Sequence, residues 1–322
     1  MTPSAIHGGA LLRVAFCAAG LSVGLPATSN GEYIVAWGER TYGQINAPGG
    51  GDYLAIDGGA RYSLALRRDG SLVYWGQLHS AVPFPSDHDF VAIAAGWRHA
   101  VALKEHGTLV GFGGSSDSAT VPEGNDFVAI SAGTSFSLAL KQDGSLVGWG
   151  WNKYGQADVP SGNDFAAISA GTSHALALKN DGSIVGWGDN RNGQADPPAG
   201  KDFVAIAAGG GHSVALRGDG SLVGWGLNNF GQTHVPSGND FVAIAAGLGH
   251  NLALRADGSL VGWGYNDYHQ IDVPAGNHFT VIACGYEHSL ALSTVPEPSA
   301  LAASLSLGAA LLLAHFWRKR NR

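Results

Sequence analysis

One unit of 37 or 38 residues is written seven times between residues 32 and 293. The phrase I-x-x-G-x-x-[H/Y/F]-[S/A/N]-[L/V]-A-L recurs with its Ile at positions 56, 93, 130, 168, 206, 244 and 282. A second phrase, an aromatic residue followed by glycine, falls at Trp37, Trp75, Phe112, Trp149, Trp187, Trp225 and Trp263. A fixed period of this length restricts the fold to stacked units, none of which can bury its apolar face alone. No linker or shift of composition interrupts residues 32–293, so the units form a single domain.

Each unit reads as strands. "FVAIAAG" and "SLALK" are short apolar runs bounded by glycine, and "SLVGWG" ends on the Trp-Gly pair. "DGS" or "HGT" joins the second run to the third, a tight hairpin signal. The unit holds three strands or, if "GQADVP" contributes a short one, four. That content fits a propeller blade and is too short and too rich in strand for helical repeats. The runs are apolar on both faces, as required of a sheet packed between two others. Gly148 and its equivalents are predicted to let sheets approach closely beside the Trp. Glycine is abundant at 49 residues, yet 45% hydrophobic content and 9 Trp provide ample surface to bury and argue against disorder.

The last unit stops early. "VIACGYEHSLAL" runs into "STVPEPS" with no "LVGWG" after it, while "YIVAWG" (33–38) stands at the start with nothing in front of it. Joined, the two make one complete unit. The expected fold is therefore all-β, a seven-bladed β-propeller closed by the N-terminal strand, which leaves no open sheet edge. The consensus "AGxxHSLAL…DGSLVGWGxNxxGQ", clearest at 171–194 and 209–232, resembles the regulator of chromosome condensation repeat family. The units are similar to those of bacterial seven-bladed members, which include a secreted β-lactamase inhibitor with three-stranded blades.

Both ends look like addresses. Residues 14–24, "VAFCAAGLSVG", follow Arg13 and precede "LPATSN", the layout of a secretory signal peptide over residues 1–27. Cys17 lies in that leader, which leaves Cys284 alone in the mature chain, without a disulfide partner. Residues 300–317 contain no Asp, Glu, Lys or Arg. As a helix they would extend about 27 Å, enough for one transmembrane span. "RKRNR" follows, and such charge stays cytoplasmic, which puts the repeats outside. Pro296, Glu297 and Pro298 stand directly before the span. Residues 295–322 thus resemble a PEP-CTERM sorting signal, which implies a Gram-negative source and exosortase, a membrane peptidase, as processing partner. The resemblance implies a precursor held in the inner membrane by helix 300–317, then a product at the cell surface or in the extracellular polysaccharide matrix. Removing both ends leaves 13 Lys+Arg and 24 Asp+Glu, a net charge of about −11. A nucleic-acid partner, which would need a basic footprint, is not expected.

The slot before "[S/A/N]-[L/V]-A-L" holds Tyr62, His99, Phe136, His174, His212, His250 and His288. Five histidines invite a metal, but Tyr and Phe fill the same slot, and equivalent positions on separate blades lie too far apart to share an ion. The predicted role is structural, each ring bonded to a neighbouring loop. No D-x-D-x-D-G loop, phosphate-cradling loop or catalytic constellation is present, and no metal or cofactor is expected.

Strand direction places the loops after each "AG" and each "WG" on one face, called the top, and the hairpin turns on the other. The first set carries Arg61, Trp97, Arg98, Tyr286 and Glu287. The second carries Trp151, Asn152, Tyr154, Asn190, Arg191, Asn228, Phe230, Tyr265, Asp267 and Tyr268. Their aromatic, Arg and Asn content is that of a recognition surface. The expectation is a monomeric, exported, non-enzymatic binding or scaffold propeller whose partner is an extracellular polysaccharide or a surface protein. One rival is a propeller enzyme acting on polysaccharide, although the divergent unit at 87–124, with "GFGGSSDSAT", offers no catalytic cluster. Resemblance alone raises two others: a β-lactamase inhibitor, and a GTPase exchange factor like the family's namesake.

Overall fold

The computed structural model describes residues 32–78, 82–114 and 119–295. Their strands fall into seven antiparallel sheets of three. The first strands of blades 1 to 7 are β2 (Tyr53–Gly58), β5 (Phe90–Ala95), β8 (Phe127–Ala132), β11 (Phe165–Ala170), β14 (Phe203–Ala208), β17 (Phe241–Ala246) and β20 (Phe279–Cys284). The middle strands are β3 (Tyr62–Arg67), β6 (His99–Lys104), β9 (Phe136–Lys141), β12 (His174–Lys179), β15 (His212–Arg217), β18 (His250–Arg255) and β21 (His288–Ser293). The third strands are β4 (Leu72–Gly76), β7 (Leu109–Gly113), β10 (Leu146–Gly150), β13 (Ile184–Gly188), β16 (Leu222–Gly226) and β19 (Leu260–Gly264). The third strand of blade 7 is β1 (Tyr33–Gly38), which pairs with β21 from Tyr33↔Ser293 to Gly38↔His288. "GQADVP" forms turns and no strand, so the blade has three strands.

The hairpin between second and third strands follows from its sequence. In "RRDGS" the Gly70 amide donates to the Arg67 carbonyl and the Arg67 amide to that of Ser71. Gly70 sits at φ +78°, a left-handed position that a side chain would disfavour. Asp69 Oδ1 accepts from both the Ser71 amide (2.9 Å) and its hydroxyl (2.6 Å), which fixes the turn.

The first strand carries an irregularity that periodicity does not reveal. In every blade the register slips after the first residue: Phe165 opposes Lys179, yet Ala167 opposes Leu178, so residue 166 faces no partner. Such a bulge turns its unpaired side chain out of the ladder.

Apolar residues are spread over wedges rather than gathered in one centre. Each wedge fills the space between two adjacent blades, as where Val101, Leu103 and Leu109 meet Phe127, Ile130 and Ala139. Ile34, Leu290 and Leu292 of blade 7 pack in the same way on Tyr53, Ile56 and Trp75 of blade 1. This is the two-faced burial that the repeat pattern predicts. The role predicted for Gly148 differs in detail. A Cβ there would come within 2.4 Å of the Ala157 carbonyl, so the glycine makes room for the loop after its own strand and not for a neighbouring sheet.

Among the described residues no helix is long and apolar enough to cross a membrane. The leader 1–27, the Pro296-Glu297-Pro298 trio and the span 300–317 lie outside the described residues.

Candidate functional site

The seven first strands end around one central channel, lined by Asp57, Ala95, Ala132, Ala170, Ala208, Ala246 and Cys284. Its volume of about 60 Å³ is far below that of small-molecule sites, which run to hundreds of Å³. The loops after "AG" surround its mouth and bond from blade to blade. The Thr172 amide donates to the Gly209 carbonyl, the Leu248 amide to Tyr286 and the Tyr286 amide to Gly59. Close passage needs glycine: a Cβ on Gly171 would lie 2.5 Å from the Gly209 carbonyl. The Tyr286 hydroxyl reaches across the mouth from blade 7 to bond Thr134 of blade 3. Among the described residues Asp57 is the one charged side chain lining the channel, its two oxygens accepting the Gly58 and Ala95 amides at 2.9 and 2.8 Å. Burial pushes its carboxyl up to about 7, against the opposing pull of those amides.

The slot histidines are inter-blade ties. His99 bonds Ser137, His174 Ser213, His212 Asn251, His250 Ser289 and His288 Ser63, at 2.8–3.0 Å through Nε2. Each partner belongs to the middle strand of the next blade, not to a loop. Burial pushes the rings down to about 3 or 4, so they are neutral. The two exceptions explain themselves. The slots after Tyr62 and Phe136 face Ala100 and Ala175, which offer no side-chain acceptor. Tyr62 instead donates to the backbone carbonyls of Gly96 and His99, and the buried Phe136 ring has no polar atom to satisfy. Among the described residues no cluster of three or more His, Cys, Asp or Glu side chains is placed to hold a metal ion.

The loops after "WG" join those after "AG" on the top face. The Trp151 amide donates to Ser135, Asp189 to Ser173, Leu227 to Gly211 and Tyr265 to Gly249. The predicted surface residues gather there in separate groups. Trp151 meets Tyr154 edge-on at 5.5 Å, and Arg191 lies 4.9 Å over the Tyr154 ring. Arg191 is held by a two-pronged contact to Asp189, 2.8 Å at each prong. Phe230 packs on Tyr265 at 4.7 Å, and Tyr265 on Tyr268 at 6.1 Å. Burial first, then Asp267, raises the Tyr265 hydroxyl. Arg61 stacks on Tyr42 at 4.1 Å and Arg98 on Trp97 at 4.4 Å. The Glu287 carbonyl accepts the Glu39 amide, while burial, with Glu39 nearby, raises its carboxyl.

The asparagines behave differently from the aromatics. Asn152, Asn190 and Asn228 accept the amides of Ala157, Ala195 and Thr233 through Oδ1 at 2.8–3.1 Å. They fold their own loops, as does Asn266 toward Ile271. Tyr42, Leu248, Asp189 and Thr134 belong to the surface and its supports without having been singled out from sequence. Asp189 and Tyr42 do sit in "WG" loops, where the signal was available.

Five stretches, residues 90–118, 127–156, 165–194, 203–232 and 241–270, match the regulator of chromosome condensation (RCC1) repeat. No curated protein matches the chain. Among solved structures, Prp20p from Saccharomyces cerevisiae is 16% identical with a TM-score of 0.69, over 88% of this chain and 96% of that one. Human WBSCR16 is 18% identical with a TM-score of 0.66, over 81% and 98%. The ectodomain of the Physcomitrella patens receptor kinase CR4 is 23% identical with a TM-score of 0.61, over 71% and 66%. At such identities the likeness establishes the fold alone. Five of the seven blades match the regulator of chromosome condensation repeat, and the chain is similar in fold to the propellers that this repeat builds.

Proposed function

We propose that this chain is a non-enzymatic binding propeller that takes its partner on the top face and works outside the cell. Its ring is shut by β1, a reading supported by the pairing of that strand with β21. The leader 1–27 and the tail 295–322 route it through the membrane, where an exosortase-type peptidase would process it at the Pro296–Pro298 region. The mature monomer then binds an extracellular polysaccharide or a surface protein.

The observation that carries the binding role is the placement of exposed rings. Tyr42, Trp97, Trp151, Phe230 and Tyr268 all emerge from top-face loops with more than a third of their surface open to water. Each is set by a neighbouring ring or cation, so little conformational freedom would be lost on binding. Prp20p, a propeller of similar fold, is described with binding to Gsp1p and histones, which supports this architecture as a platform for protein partners.

The test is capture from native extracellular matrix by the purified domain. Trp97→Ala/Tyr154→Ala/Tyr268→Ala should lower capture by at least about tenfold, since each anchor of a recognition surface contributes on the order of 1 kcal/mol or more. Unchanged capture by the triple variant would overturn the assignment of this face. Turnover of matrix glycans by the wild-type domain would overturn the non-enzymatic reading.

A further inference from the structure

The opposite, bottom face is also apolar, but aliphatic. Its side chains are those released by the bulge at the start of each first strand. Leu54, Val91, Val128 and Val204 stand 41–44% exposed there. Val242 joins Val204 in one inter-blade recess and Thr280 in the next, so bulge residues of neighbouring blades meet along this part of the face. A bulged position in water has no need of Val or Leu, and the residue two places earlier is Asp in most blades. Apolar side chains repeated at one exposed register mark a surface that is covered in use.

The chain leaves the domain at this same face. β21 runs downward and ends at Ser293, opposite Tyr33 and Phe279. The Thr294 amide then bonds the His278 carbonyl, and Thr294 lines the recess that holds Val242 and Thr280. The uncharged run 300–317 begins five residues beyond Val295. Five residues reach at most about 17 Å, so a span starting there would keep the bottom face within that distance of the bilayer.

We infer that the bottom face is a lipid-docking surface: the bulge-borne ring of Leu54, Val91, Val128 and Val204 rests on the membrane that residues 300–317 enter. This deepens the proposed function and rests on its membrane-routed precursor, because it turns the aromatic face outward. Charge selects the lipid. Four of the cations around the ring are paired, Lys141 with Asp126, Lys179 with Asp164, Arg217 with Asp202 and Arg255 with Asp240, while Arg67 stacks over the Tyr53 ring. The hairpin aspartates, Asp143 and its equivalents, add negative charge at the same end. The surface therefore suits zwitterionic lipid and has no basic footprint for an anionic one.

The full chain tests this after Cys17→Ser. Cys284 is buried, and burial raises its thiol further, so it does not compete for label. Val128→Cys, or Tyr268→Cys on the other face, is coupled to an environment-sensitive dye. Each protein is reconstituted into phosphatidylcholine vesicles with or without brominated acyl chains. The dye at position 128 should shift to the blue and lose most of its emission to the brominated lipid, while the dye at 268 should do neither. No quenching at 128, or equal quenching at both, overturns the docking. Extraction by alkaline carbonate reads the span separately: a chain that washes out refutes the membrane segment, whichever way the dyes respond. Melting curves of the labelled proteins confirm that position 128, exposed and unpaired, tolerates the change.

Discussion

Ser213 has one hydroxyl proton, and it goes to the Gln194 carbonyl at 2.9 Å. Toward His174 it can only accept, so the imidazole is the neutral tautomer with its proton on Nε2. Ser289 and Ser63 do the same through Gln270 and Gln44. The Nδ1 atoms of His174, His212, His250 and His288 are buried without a partner. A second proton would put a charge where nothing solvates it, which is why these rings titrate near 3 or 4. In the unfolded chain histidine titrates near 6.5. At pH 5 unfolding therefore takes up about five protons at the five ties. Asp57, protonated when folded below about 7 and ionised when unfolded, releases one. The net uptake is about four, and stability should fall with pH by about 1.4 kcal/mol per pH unit for each proton. Urea unfolding between pH 4.5 and 5.5 measures that slope. His212→Asn should reduce it by one proton, and a slope near zero would refute the neutral ties. The partner residue follows the slot residue directly in each unit, so the pairing of His with Ser or Asn, and of Tyr or Phe with Ala, was legible in the sequence. What hid it is that the pairing links one unit to the next, and aligning the units compares like positions only.

Between the strands, the segment "GQ" works as a tie of another kind. The buried Gln232 accepts the Phe230 amide through Oε1, which curls the loop after β16. The curl aims the Gln232 carbonyl at blade 6, where it accepts both the Trp263 indole N–H (3.0 Å) and the Asn251 amide group (2.9 Å). Trp37, Trp75, Trp187 and Trp225 find Gln270, Gln44, Gln156 and Gln194 in the same way. Where Val82 replaces the Gln, the next blade carries Phe112, which has no N–H to satisfy. Gln232→Ala removes only the side-chain acceptor, yet it should cost about 1–3 kcal/mol by leaving a part-buried loop amide unpaired and misdirecting the carbonyl that two buried donors use. Chemical denaturation measures this, and a cost below about 0.5 kcal/mol would mean that the loop holds its shape unaided. The strands, turns and blade count were readable because Gly, Asp-Gly and the apolar runs act locally. The Gln tie was not, because it works through a backbone atom. The bulge was not either, since "FVAIAA" has the same apolar pattern whether or not one residue leaves the ladder. On the top face, composition grouped the loop-folding Asn152, Asn190 and Asn228 with the aromatics, because residue type does not reveal which side chain folds its own loop.

At the scale of the whole molecule, seven equivalent wedges leave no blade privileged. Blade 7 differs only in taking its third strand from the start of the chain, and the contact of Ile34 and Leu290 with Ile56 and Trp75 matches the other wedges in kind. Position in the chain should therefore be exchangeable. Residues 33 and 293 are paired neighbours, so a linker of a few Gly and Ser can join the two ends across the bottom face. Opening the chain between Asp181 and Gly182 would then make β13 the first strand, returning at the end to complete β11 and β12. This permutant should fold to a ring with nearly unchanged cooperativity, since it replaces one hairpin by another. The same cut without the linker yields two fragments, and their association should depend on concentration. Melting temperature against protein concentration separates the two cases. A permutant that melts in two steps, or much below the parent chain, would show that the junction of blade 7 with blade 1 is weaker than the rest and that the ring depends on where its chain begins.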